Sequence, residues 1–164
     1  MFETVAEAQR RKNLHVREQS EFSAEDTTVK RPVSLPEGAL EILRKEVLQY
    51  REAEDQTPDG LTTASFLASE IHLGGPDETV LIVMGEGHLR GANVISFWVF
   101  RKSPRGYELI LDVVAHDLTV KATRWKGYRI IETAKLTSSI GTIATYRFDG
   151  KRYRLYKTKS QPIG

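Results

Sequence analysis

Asp149-Gly150 constrains this chain more than any other feature, because it sits between two stretches in which aromatic and polar residues alternate. A type I′ turn needs positive φ at both central positions, so Asp-Gly between alternating residues is a strong hairpin signal. The predicted register sets Tyr146 opposite Tyr153 and Arg147 opposite Arg152. Side chains alternate across a strand, which gathers Tyr146, Phe148, Tyr153 and Leu155 on one face. Arg147, Arg152 and Arg154 take the other. Like charges directly opposite each other destabilise a strand pair, so that second face calls for open solvent or an anionic partner.

A paler copy of the same hairpin runs from Phe97 to Leu109. Around the two hairpins the chain from Phe66 onward reads as eight strands, near 66–73, 79–85, 93–101, 107–115, 118–125, 128–134, 140–148 and 151–158. The turns between them are short, which favours an antiparallel meander. The strand at 93–101 is apolar on both faces and is expected to be central. Two four-stranded units follow from the repeat, 66–115 and 117–158, and two such blades are too few to close a propeller ring. They are expected to pack on each other or to extend one sheet.

Ahead of the strands, Ser34-Leu-Pro-Glu37 reads as a capping box. Ala39, Leu40, Leu43, Val47 and Tyr50 then recur at helical spacing, predicting a helix over about 35–53 that lies on a sheet face. Residues 1–33 carry many charges and no sustained apolar period, which predicts a mobile tail; 159–164 reads as a C-terminal tail. The fold class is therefore mainly β with one N-terminal helix, in a single domain over 34–158. No apolar run approaches a membrane span. The absence of cysteine excludes disulfides, thiolate metal sites and a cysteine nucleophile.

Charge is unevenly spread. Lys121 to Lys159 holds eleven Lys and Arg against two acids, Glu132 and Asp149, within a chain whose total is only +2. The cations of this stretch interleave with Trp125, Tyr128, Tyr146, Phe148, Tyr153 and Tyr156. Positive charge with interleaved aromatics is how a sheet holds single-stranded nucleic acid, and it equally suits an acidic protein or another anionic polymer. The bland alternative is a solvated face with its aromatics turned inward, which the alternation favours for Tyr146, Phe148 and Tyr153. Tyr156 shares the arginine face and argues for binding. The predicted working surface is Arg147, Arg152, Arg154 and Tyr156, with Lys126 and Arg129 beside them.

Trp98-Val-Phe-Arg101, Gly106-Tyr107, the Trp125-Lys-Gly-Tyr128 turn and the 146–153 hairpin resemble a loose group of small, usually exported bacterial proteins. Their β repeats are similar to the FG-GAP blades of integrin-type propellers and to lysozyme-inhibitor-like domains of the cell envelope. The resemblance covers about residues 65–158. It implies a β-repeat fold, an inhibitor-like binding role without enzymatic activity, and a periplasmic or secreted location. Met1 to Arg17 lacks a signal-peptide layout, so export requires a leader removed earlier, and otherwise the cytoplasm is expected. Where relatives often carry cysteines, this chain has Gly85-Glu-Gly-His-Leu-Arg-Gly91. It also has no Asp-x-Asp-x-Asp-Gly calcium loop, and no inhibitory residue is assigned by matching.

Other chemistry is weakly signalled. The 85–91 loop follows an apolar strand as a phosphate loop would, but it lacks the Gly-Lys-Ser/Thr ending and the helix that should follow. Glu86, His88 and Arg90 still place polar groups on a loop, where binding residues concentrate. A hydrolase reading would combine Glu86 and His88 with His116, or Ser138 or Ser139 with His116 and Asp112; no nucleophile elbow supports it. His15, His72, His88 and His116 fall at no recognised metal spacing. No cofactor or metal is expected.

Overall fold

The structure, a computed structural model, describes residues 4–6, 18–26, 28–51, 61–74, 78–86, 89 and 93–163. Among the described residues, nine strands form two antiparallel sheets. The four-stranded sheet is a meander of β2 (Phe66–Ile71), β3 (Val80–Gly85), β4 (Ile95–Ser103) and β5 (Gly106–Ala115). The five-stranded sheet continues the chain as β6 (Asp117–Trp125), β7 (Tyr128–Leu136), β8 (Ile140–Phe148) and β9 (Tyr153–Pro162), and β1 (Glu21–Ser23) is added beside β6. The four-stranded sheet is built from 66–115, and the five-stranded sheet from 117–162 with 21–23 added at its edge.

Three layers result, and the sequence pattern explains each face. On β3, Val80, Ile82 and Met84 join Phe97, Val99, Leu118, Ile131 and Phe148 in a core between the sheets. The alternate residues Leu81 and Val83, with Trp98 and Phe100, pack under helix α1 (Glu37–Arg51) through Ala39, Leu40, Leu43 and Val47. Strands β3 and β4 are covered on both faces, which is why they read as continuous apolar runs. Helix α1 starts at Glu37, two residues after the expected start, and Glu37 pairs with Arg44 at 3.4 Å. The two aromatic hairpins are not equivalent by layer. Phe100 and Tyr107 turn toward the helix, whereas Phe148 and Tyr153 turn into the core between the sheets.

Two readings of the ends need correction. Residues 21–23, placed in a mobile tail, form β1, paired with β6 from Glu21 opposite Thr119 to Ser23 opposite Asp117. A lone apolar side chain decides this: Phe22 is 2% exposed and plugs the core at the sheet edge. At the other end β9 runs to Pro162, well into the segment read as a tail.

The hairpin register also differs. Phe148 opposes Tyr153 and Arg147 opposes Arg154, so Asp149 to Arg152 form a four-residue loop and Arg152 lies in the turn. Asp149 causes the change. Its carboxyl Oδ1 accepts from the N–H groups of Lys151 at 2.8 Å and Arg152 at 2.9 Å, while its own N–H donates to the Arg152 carbonyl at 2.9 Å. Such side-chain turns compete with the tight two-residue form. The two-residue turn with positive φ at both positions occurs instead at Lys126 (φ 50°) and Gly127 (φ 87°), between β6 and β7.

Candidate functional site

The outer face of the five-stranded sheet, turned away from the four-stranded sheet, gathers most of the predicted residues. Ile131 and Phe148 point into the core, so Arg147 points outward by alternation. Its guanidinium carbon lies 3.1 Å from the centre of the Tyr156 ring and 5.0 Å from the centre of the Trp125 ring. Lys126 Nζ stands 4.6 Å from the Trp125 ring and Lys157 Nζ 5.9 Å from the Tyr156 ring. Cations over aromatic faces are attracted by the ring quadrupole. Two rings and three cations therefore interleave.

A bulge places Tyr156 there. Thr145 opposes Lys157 and Tyr146 opposes Leu155, which leaves Tyr156 as an extra residue in β9. Bulges commonly re-aim a side chain beside a working surface. Tyr156 remains 52% exposed.

The opposition of Arg147 and Arg154 is relieved locally. Arg154 Nε donates to Asp149 Oδ2 in the turn, and Arg147 is covered by the rings. The N–H groups of Arg152 and Lys151 and the Arg154 guanidinium hold the Asp149 carboxyl well below the ordinary carboxylate range. Arg147 Nε is buried without a hydrogen-bond partner. Arg152 and Lys151 are exposed at the tip of the hairpin.

Arg129 is not part of this surface. Its Nε donates to the Lys121 carbonyl at 2.9 Å, Nη2 to the Val120 carbonyl at 3.0 Å, and Nη1 to the His72 carbonyl at 3.1 Å. The Glu18 carboxylate lies 3.7 Å from Nη1 and also accepts from the His72 N–H at 2.6 Å. This arginine ties β7, the bulged middle of β6 and the end of β2 together. Arg124 acts similarly, donating to the carbonyls of Gly74 and Gly127 at 2.8 and 2.9 Å. Arg129, expected beside the working surface, serves the fold instead, as Arg124 does.

Of the secondary candidates, His88 and Arg90 lie outside the described residues. Glu86 directly follows β3, and one of its carboxyl oxygens is buried without a partner. His116 is the single residue joining β5 to β6, and so joins the two sheets. Its N–H donates to the Ala134 carbonyl and its carbonyl accepts from the Ala24 N–H. Its ring nitrogens stand 3.1 Å from Asp117 and 3.4 Å from Glu25. Asp117 first, then Glu25, push its pKa above the ordinary histidine value against the effect of burial. A raised pKa means protonation favours the fold: the contribution is complete below about pH 6.5 and is lost as pH rises through the raised value. Unfolding by denaturant should therefore show wild-type stability falling across that interval, and His116→Gln should flatten this limb.

Compared with family models, curated proteins and solved structures, the chain matches none. The arrangement itself must therefore carry the functional reading. The structure brings Arg147, Tyr156 and Lys126 onto one surface, and Trp125 and Lys157, outside the predicted working surface, lie with them. Trp125 adjoins the Lys126-Gly127 turn, and that adjacency was the available signal for it.

Proposed function

We propose that this chain is a non-enzymatic binding module whose basic outer sheet face takes an acidic or anionic partner. It is inhibitor-like in the sense that it works by occupying another molecule. The observation that carries this reading is the exposed Tyr156 ring with Arg147 and Lys157 against it, beside Trp125 and Lys126. Positive groups prepositioned on rigid strands lose little freedom on binding. A second reading, a single-stranded nucleic-acid binder, draws on the interleaving of Trp125 and Tyr156 with cations, since bases stack on such rings.

Titration with heparin, polyglutamate and oligo(dT), followed by tryptophan fluorescence, tests both readings; the other tryptophan, Trp98, is buried. Affinity should fall steeply as salt is raised. Arg147→Ala and Tyr156→Ala should each weaken binding by about tenfold, the scale of a modest hot spot. Failure of all three polyanions to bind at low salt would remove this face from consideration. Preference for oligo(dT), lost in Tyr156→Ala, would select the nucleic-acid reading.

A further inference from the structure

Strand β9 ends the five-stranded sheet. It is ten residues long, and every residue from Arg154 to Pro162 is exposed. An edge strand of this length presents a row of main-chain donors and acceptors to any chain that can pair with it. The other sheet treats its β2 edge differently: Pro32 bridges Ser69, and the Val33 N–H donates to the Ala68 carbonyl at 2.9 Å.

In an antiparallel ladder, bonded pairs alternate with pairs whose N–H and C=O groups point to the opposite side. The Ile163 N–H donates to the Ser139 carbonyl at 2.8 Å. Counting back from that bond turns the backbone of Pro162, Ser160 and Thr158 toward the open side. Pro162 agrees with this phase. It opposes Ile140 without needing an N–H for the ladder, as prolines on edge strands do.

Charge selects the occupant. The described part of β9 contains Arg154, Lys157 and Lys159 and no acid. Lys157 and Lys159 are two residues apart and share a face. Two copies of this chain paired edge to edge about Thr158 would set Lys157 against Lys159, which is repulsive. An incoming strand with carboxylates at alternate positions would meet the same two lysines with opposite sign.

We infer that β9 is the docking edge for an extended acidic segment of a partner protein, which adds to the five-stranded sheet as a sixth strand. The inference rests on the reading of the basic face above and specifies how that face is used. Main-chain bonds from Thr158 and Ser160 hold the segment, and the lysines fix which side its acids take. Tyr156, at the bulge, marks where regular pairing stops.

The test uses a labelled peptide of about ten alternating Glu and Val residues, the length of a strand, read by fluorescence anisotropy. A matched peptide is N-methylated at alternate amides, which keeps every charge and removes the donors. Wild-type protein should bind the first at least tenfold more tightly than the second in one of the two methylation phases. The variants Thr158→Pro and Ser160→Pro remove outward N–H groups and spare the bonds to β8. They should lose peptide binding and keep heparin binding, with thermal melting as the check on folding. Equal binding of plain and both N-methylated peptides would overturn strand addition and leave the anionic-face reading intact. Heparin binding with no peptide binding would do the same. Failure of both ligands would remove the face reading as well.

Discussion

Arg129→Ala should lower the free energy of unfolding by about 3 kcal/mol, the scale for removing one partner from a largely buried charged network. The affinity of the outer sheet face for a polyanion should be unchanged. The guanidinium satisfies three carbonyls, those of Lys121, Val120 and His72. It is 18% exposed and faces the Glu18 carboxylate, which is 11% exposed. Truncation strands all of these at once. Chemical denaturation measures the first effect and polyanion titration of the folded variant the second. An Arg129→Ala protein of wild-type stability with weakened binding would return Arg129 to the binding surface.

Phe97→Ala should cost about 3–5 kcal/mol, the range for deleting a buried aromatic side chain. Phe97 is fully buried on β4, the strand covered by the helix on one face and the five-stranded sheet on the other. Both sheets lose contacts at this position, and neither can close the gap alone. Leu155→Ala, at a position 57% exposed, is the control and should change stability by no more than about 0.5 kcal/mol. Equal effects at the two positions would contradict the layer assignment.

The strands were legible because their patterns come from burial. Val80 to Gly85 and Ile95 to Phe100 are apolar on both faces, and they lie where both faces are covered. The register of the last hairpin was not legible, because it depends on where one carboxylate finds its donors. Asp149 captures two N–H groups, the loop grows to four residues, and every cross-strand partner shifts. Arg129 was legible and was misread. It stands two residues before Ile131, a core residue, so alternation alone directs it inward. Charge totals obscured this, since a sum over the C-terminal stretch treats a guanidinium bonded to carbonyls like one facing water. Strand β1 left little trace, because three residues with one buried phenylalanine make no period.

Among the described residues, every strand but one pairs with a neighbour in sequence; β1 pairs with β6, on the far side of the helix and of four other strands. During synthesis the segment holding Phe22 therefore emerges long before its partner exists. The four-stranded unit can assemble as soon as β5 leaves the ribosome, but its inner apolar face stays uncovered until the second sheet arrives. Phe22 is held in waiting until β6 emerges, and only then can it dock against Leu118 and begin the second sheet.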